Sequence, residues 1–205
     1  MLKIVFLSEV RTQKGPAIFI DRDGVINCRR PDDYILDFSQ FVFTPGIRAA
    51  LIQLASLGLP MIVISNQAAV GKGLLDAAGL EEITARMEQT LREDGTILAA
   101  AYYCVHRSEA NCACRKPKPE LLYRAANDFN IDLSRSVFIG DSETDVRAAR
   151  AAGCEPILFG LGLTNHAESG EWATDLPVAL AAGDLFDVVA KNLRRRGIVS
   201  RGHVG

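Results

Sequence analysis

Four short segments of this sequence place acidic, hydroxyl or amine side chains at the end of an apolar run or in the loop that follows it. In chain order they are headed by Asp21, Ser65, Lys116 and Asp141. A single aspartate in such a place is usually a turn or helix-cap residue, but four segments that repeat the pattern need another explanation. Carboxylates held close together repel one another and favour a cation between them. An all-oxygen ligand set suits Mg²⁺, and a hydroxyl and an amine beside it could hold the oxygens of a phosphate group.

A second chemical pattern lies in "CVHRSEANCACRKP", residues 104–117, which holds three of the five cysteines. Three thiolates and one imidazole suit a closed, tetrahedral Zn²⁺ site. The alternative is a reduced, metal-free loop whose thiols are incidental. The loop is poor in apolar residues, so a bound metal could fix its shape. The metal would then also fix how Arg115 and Lys116 approach the substrate. The four candidate zinc ligands are Cys104, His106, Cys112 and Cys114.

The elements that must position these residues are indicated by five continuous apolar runs. Such runs are typical of strands covered on both faces, and helical spacing of apolar residues predicts helices between them. Alternating strands and helices predict a parallel sheet with helices on both sides. Ligands of such sheets bind at the carboxyl ends of the strands, where the four segments lie. The predicted strands are 17–20, 60–65, 99–104, 136–140 and 155–159, and the predicted helices are 46–57, 76–94, 118–129, 142–152 and 177–196.

Composition narrows the class of protein. A chain of 205 residues is long enough for one domain with a real core. Its formal net charge of -2 argues against a general nucleic-acid binder. The sequence has no apolar stretch near the roughly 20 residues of a membrane span and no signal-peptide pattern, so we expect a cytoplasmic protein without a membrane partner. We also expect a monomer. Cys28 and Cys154 fit no ligand pattern and are expected to be packing residues.

In this order, the motifs "DRDGV", "SNQ", "CRKP" and "GDSETD" resemble those of haloacid-dehalogenase (HAD) superfamily phosphatases. The resemblance covers about residues 17–160. The "CVH…CAC" insert narrows it to the branch of D-glycero-D-manno-heptose 1,7-bisphosphate and histidinol-phosphate phosphatases. It implies a Rossmann-like three-layer sandwich over residues 16–190 with a zinc loop. No segment between the motifs is long enough for a large cap. Residues 1–15 are then an extension, either a flexible tail or an added edge strand, and 191–205 a C-terminal tail.

The resemblance also implies a role for each site residue. Asp21 would attack phosphorus and carry the phosphoryl group, and Asp23 would act as general acid and then general base. Mg²⁺ would bind the Asp21 carboxylate, the Asp23 carbonyl and Asp141, with Asp145 behind them orienting Lys116 or a metal-bound water. The residues expected to contact the phosphate or substrate are Ser65, Asn66, Gln67, Arg115 and Lys116.

Several alternatives remain open at this point. The long "YILDFSQFVFTPGI" segment favours a heptose bisphosphate as substrate, whereas the short zinc spacer resembles that of histidinol-phosphate phosphatases. A polynucleotide 3′-phosphatase lacks support from the net charge. A phospho-receiver domain also phosphorylates an aspartate, but it lacks an acid–base carboxylate two residues on, which Asp23 would supply. Arg29, Arg30 and Lys72 could meet a second phosphate or be solvated surface charges.

Overall fold

The computed structural model describes residues 1–7, 13–30, 34–160 and 175–199, and a seven-stranded sheet lies at the centre of the fold. In the sheet the strands follow the order β1-β4-β3-β2-β5-β6-β7. Neighbouring strands are parallel, except that β1 is antiparallel to β4. The strands are β1 (Leu2–Val5), β2 (Ile18–Ile20), β3 (Met61–Asn66), β4 (Ala100–Cys104), β5 (Val137–Gly140), β6 (Glu155–Phe159) and β7 (Val178–Ala179).

Helices cover both faces of this sheet. Alternate residues of β2 point to opposite faces: Ile18 and Ile20 join an apolar cluster with α1, α3 and α6, and Phe19 joins a second cluster with α4 and α5. All three side chains are fully buried. The predicted α/β fold of three layers is therefore confirmed. The helices are α1 (Ile47–Ala55), α2 (Ala68–Gly71), α3 (Ala77–Glu93), α4 (Glu120–Asp128), α5 (Glu143–Ala152) and α6 (Ala182–Arg195).

The last predicted helix differs from the one observed. The expected helix 177–196 begins only at Ala182, because Val178 and Ala179 pair with β6 as a short parallel strand. The prediction was wrong here since a two-residue strand is specified by its neighbour in the sheet and leaves no periodic signal. At its other end α6 runs to Arg195, and Leu193 is fully buried, so the ordered helix continues past residue 191. Residues 200–205 of the expected tail lie outside the described residues.

The beginning of the chain adds an antiparallel edge strand. β1 pairs along its whole length with β4. The Lys3 ammonium contacts the Asp128 carboxylate at 2.7 Å, and the Tyr102 hydroxyl donates to the same carboxylate at 2.7 Å. This part of the expected extension therefore contributes to the sheet, and residues 8–12 lie outside the described residues.

The described connections between the central strands consist of helices and the loops around them. In the described residues, the segment from β2 to β3 contributes a 3₁₀ helix (Phe38–Gln40) and α1, and the segment from β3 to β4 contributes α2 and α3. These connections agree with the expected capless architecture. None of the helices in the described ranges is both long and apolar enough to span a bilayer.

Candidate active site

The order of the strands brings the predicted residues together. β2 lies at the centre of the sheet between β3 and β5, with Ile20 in register with Val63 on one side and Ile139 on the other. Asp21 therefore leaves β2 beside the ends of both neighbours, and its backbone N–H donates to the Ile139 carbonyl at 2.9 Å. Side chains from three adjacent strand ends meet at this edge, which is the ligand-binding edge of parallel sheets.

Lys116 is buried between two of the carboxylates. Its Nζ lies 2.9 Å from Asp21 Oδ1 and 2.5 Å from Asp145 Oδ1, and it donates to the Ile64 carbonyl at 3.0 Å. Burial alone would lower the pKa of this lysine, but Asp145 and Asp21 raise it above its usual value. Lys116 is therefore held as a cation, with its charge directed at the carboxylate of Asp21.

Asp145 is fixed in place by the first turn of α5. Its Oδ2 accepts from the Ser142 backbone N–H at 3.1 Å and from the Ser142 hydroxyl at 2.5 Å, which closes a capping box. A Cβ at Gly140 would lie only 2.3 Å from the Asp145 Cβ, so glycine is needed for this close approach. Asp145 is thus anchored with its other oxygen turned to Lys116, as its expected orienting role requires.

Asp141 approaches the loop after Asp21 at Gly24, a second position where glycine is needed. Gly24 has φ +92°, and a Cβ there would lie 1.8 Å from Asp141 Oδ2. The other oxygen, Oδ1, accepts from the Arg29 guanidinium at 2.7 Å. Burial raises the pKa of Asp141 to about 6, although Arg29 opposes this rise.

The three carboxylates of Asp21, Asp141 and Asp145 form a compact acidic cluster. Each offers one oxygen, and these oxygens all lie within 4.8 Å of one another. Burial raises the pKa of Asp21 to about 7 against the charge of Lys116, and the other two carboxylates add to the rise. A close group of hard oxygen donors is the ligand chemistry that suits Mg²⁺.

Asp23 is held by hydrogen bonds outside the acidic cluster. Its carboxylate accepts from Arg22 at 2.9 Å, from Gln67 Nε2 at 2.6 Å and from Asn27 Nδ2 at 3.0 Å. Burial raises its pKa, but Arg22 and these hydrogen bonds outweigh burial and leave the pKa below the usual value. The sequence analysis did not identify Arg22 and Asn27 as partners, although both lie within "DRDGVIN". In this conformation Asp23 is a carboxylate and not a proton donor.

The "SNQ" segment contributes polar side chains to the same edge of the sheet as Asp21. The Ser65 hydroxyl is buried and accepts from Gln67 Nε2 at 3.2 Å. Asn66 forms a two-way clamp on the backbone of Lys116: its Oδ1 accepts from the lysine N–H at 3.1 Å, and its Nδ2 donates to the lysine carbonyl at 3.2 Å. The sequence predicts that Asn66 and Gln67 contact substrate; the structure shows that both side chains have internal partners.

A cavity of about 580 Å³ opens over these residues. Asp21 and Ser65 are among the residues that line it, and most of the charged groups around it are cationic. One of these cations is Arg115, which is predicted from the sequence to contact the substrate. Three others are Arg29, Arg30 and Lys72, for which the sequence left open a role in phosphate binding. The cationic residues that line the cavity are Arg22, Arg29, Arg30, Lys72, Arg115 and Lys116.

The four predicted zinc ligands converge on one point. Cys112 Sγ lies 3.5 Å from Cys104 Sγ and 3.7 Å from Cys114 Sγ, and His106 Nδ1 lies 3.3 Å from Cys114 Sγ and 3.7 Å from Cys104 Sγ. Four ligands at the usual Zn–S distance would be separated by about 3.8 Å along the edges of a tetrahedron. The donor set and its spacing therefore fit a closed tetrahedral site, and all five cysteines are free thiols.

The cysteine loop is docked on the segment that follows β3. A Cβ at Gly71 would lie 2.6 Å from the Val105 carbonyl, and Arg107 Nε donates to the Gly71 carbonyl at 2.6 Å. On the other side, Lys118 Nζ donates to the Cys112 carbonyl at 2.8 Å and so closes the loop. The loop thus joins α2 to the backbone that carries Arg115 and Lys116.

Comparison with known proteins gives consistent matches. Residues 113–185 match the HAD-hydrolase-like family model. The D-glycero-β-D-manno-heptose-1,7-bisphosphate 7-phosphatase of Pseudomonas aeruginosa is 37% identical over 145 residues, which cover 71% of this chain and 81% of that protein. The enzyme of the same name from Yersinia pestis is 32% identical over 186 residues, covering 83% and 98%.

Two solved phosphatase structures are also similar to this chain. The D,D-heptose 1,7-bisphosphate phosphatase of B. bronchiseptica, complexed with magnesium and phosphate, is 29% identical with a TM-score of 0.79 and covers 86% of this chain and 99% of its own. A HAD-like phosphatase from Mesorhizobium loti also has a TM-score of 0.79, at 26% identity, with 93% of both chains covered.

Proposed function

This chain belongs to the HAD-like hydrolases, in the group of the heptose-bisphosphate phosphatases, and on that premise we propose that it is a Mg²⁺-dependent phosphomonoesterase that removes the 7-phosphate of D-glycero-D-manno-heptose 1,7-bisphosphate. The observation that carries the proposal is the acidic cluster of Asp21, Asp141 and Asp145 with Lys116 buried beside it. The names of the relatives support the choice of substrate.

The acidic cluster fits a magnesium ion. Its donors are hard oxygens, and the missing side chain of Gly24 leaves room for Asp141 to approach. The Asp21 carboxylate, the Asp23 carbonyl and Asp141 would hold the ion. When bound, it would neutralise charge between the nucleophile and the phosphate.

The chain's own residues can perform hydrolysis in two steps. Asp21 attacks phosphorus in line, the bond from phosphorus to the sugar oxygen breaks, and Asp23 gives its proton to the leaving alkoxide. Lys116 and the Ser65 hydroxyl hold the phosphoryl oxygens during the transfer. Asp23 then takes a proton from water, which attacks the aspartyl phosphate and releases orthophosphate and the Asp21 carboxylate.

The observed contacts of Asp23 suit one of these two steps. Arg22 and Gln67 hold it as a carboxylate, which is the form that accepts a proton from water. The first step needs the protonated form, and the negative charge of a phosphate group bound beside Asp23 would raise its pKa toward that form.

Zinc is part of the same proposal as a structural ion. Cys104, His106, Cys112 and Cys114 would hold it, and the fit rests on their donor set and tetrahedral spacing. We expect it to fix the loop that presents Arg115 and Lys116, with no part in bond breaking. The expectations of a monomer and of a cytoplasmic location also belong to this proposal.

A substrate panel tests the proposal. The panel contains both anomers of the heptose 1,7-bisphosphate, histidinol phosphate, simple hexose phosphates and a 3′-phosphorylated oligonucleotide. We expect the highest kcat/KM for a heptose bisphosphate, and a preference for histidinol phosphate would replace the proposed substrate by its runner-up. The Asp21→Asn variant should fold normally and lose turnover, so wild-type activity in it would overturn the mechanism. A stable phosphoprotein that never turns over would instead indicate a receiver domain.

A further inference from the structure

Arg29 forms an ion pair with a candidate metal ligand. Its Nη2 lies 2.7 Å from Asp141 Oδ1, and the arginine side chain is 51% exposed whereas that of Asp141 is 15% exposed. The other oxygen of Asp141, Oδ2, occupies the space that a Cβ on Gly24 would take. A divalent cation that takes Oδ1 of Asp141 as a ligand must displace the guanidinium or share this oxygen with it.

The charges around the acidic cluster favour displacement. The three carboxylates of Asp21, Asp141 and Asp145 face two side-chain cations, Lys116 and Arg29. A divalent cation would make this group net positive if Arg29 stayed, and neutral if Arg29 withdrew. Lys116 is buried and held by two carboxylates, but the half-exposed Arg29 can leave. Arg29 also lines the cavity above Asp21, so a phosphate group in that cavity offers it a new partner.

We propose that Arg29 is an internal counter-ion of Asp141 that opposes divalent-cation binding while the cavity holds no anion, and that it turns to the phosphate group when cation and phosphate are both present. The inference rests on the metal site of the proposed function. It makes the binding of Mg²⁺ and of phosphate cooperative, because each ligand removes part of the cost of moving the guanidinium.

The test is a calorimetric titration of Mg²⁺ into the phosphate-free protein, repeated with saturating orthophosphate. The variants are Arg29→Gln, Arg29→Lys and a control, Arg147→Gln, which removes an exposed arginine paired with Glu143 on α5. Without phosphate, Arg29→Gln should bind Mg²⁺ about tenfold more tightly than wild type, the effect of one nearby charge screened largely by water. Orthophosphate should strengthen Mg²⁺ binding several-fold less in Arg29→Gln than in wild type. Arg29→Lys and Arg147→Gln should resemble wild type.

Each outcome has a separate meaning. If wild type binds no Mg²⁺ with or without phosphate, the metal site itself is wrong and the proposed function fails with it. If wild type binds Mg²⁺ and Arg29→Gln binds it no more tightly, only the counter-ion role is overturned. Equal tightening in Arg147→Gln would likewise overturn it, because the effect would then reflect net charge alone. Thermal unfolding of each variant verifies that the compared proteins are folded.

Discussion

Replacing Gly24 by alanine should damage the site far more than the fold. The new Cβ would lie 1.8 Å from Asp141 Oδ2 and 2.4 Å from its Cγ, and real Cβ contacts do not come closer than 3.0 Å. The Asp141 carboxylate must therefore retreat by roughly 1 Å or more from a position close to Asp21. A misplacement of about 1 Å can cost a factor of about 100 in rate.

The same substitution carries a backbone cost. Gly24 has φ +92°, and a side chain in such a conformation costs about 1–3 kcal/mol of folding free energy. We therefore expect Gly24→Ala to remain folded at room temperature, with kcat/KM lower by about 100-fold and Mg²⁺ affinity clearly reduced.

A matched control separates the two costs. Gly58 has φ +66°, and a Cβ there would meet nothing within 4 Å, so Gly58→Ala adds backbone strain without a clash. Phosphate-release kinetics, Mg²⁺ calorimetry and thermal unfolding should be measured on both variants. Gly58→Ala should lose stability and keep its kinetics. If Gly24→Ala keeps wild-type kcat/KM and Mg²⁺ affinity, the position of Asp141 does not govern catalysis as argued.

The remaining predictions concern the zinc loop, the lysine clamp and pH. Cys112→Ser should reduce the zinc content, measured by elemental analysis, below the roughly one ion per chain expected for the wild type. The variant should also have a higher KM and a lower kcat. Unchanged zinc content and kinetics would refute the structural zinc site. Asn66→Ala should lower kcat by about tenfold, because it removes the clamp on the Lys116 backbone; a variant that changes only KM would indicate direct substrate contact instead. In EDTA, the thermal midpoint should fall as the pH rises from about 5 to about 8, since the folded-state pKa values of Asp21 (about 7) and Asp141 (about 6) exceed the reference value of 3.8. The stability that the protonated Asp21 and Asp141 contribute is complete below pH 3.8 and is lost as the pH rises through about 6 and about 7. A thermal midpoint that stays constant or rises between pH 5 and pH 8 would contradict this prediction.

Much of the fold and of the candidate site follows from local sequence pattern. Continuous apolar runs identify the five central strands, and the parallel arrangement that they predict puts Asp21, Ser65 and Asp141 at one edge. The cysteine loop is equally predictable, because Cys104 and Cys114 lie only ten positions apart and a short loop can converge by itself.

The sequence did not predict which distant residues pair with one another in the fold. Arg29 and Asp141 are separated by 112 positions, and no periodicity links them. Asp23 is adjacent to Arg22, yet only the fold determines that this arginine is buried and turned toward it. The strand Val178–Ala179 is too short to carry a pattern of its own. In each case the sequence supplies the residue types, and tertiary packing determines which of several possible partners is used.

The central place of β2 in the sheet has a consequence for biosynthesis. β2 is the first of the central strands to leave the ribosome, but its neighbour β5 pairs Val137 with Ile18, 119 positions later. Lys116 and Asp145, which lie beside Asp21, are also translated long after β2. A nascent chain that ends before β5 holds Asp21 on a strand with one side unpaired, which slows folding and exposes an apolar edge. Translation must therefore pass Asp145 before the surroundings of Asp21 can be complete, and a pause between β4 and β5 would prolong the interval in which the nascent chain needs chaperone protection.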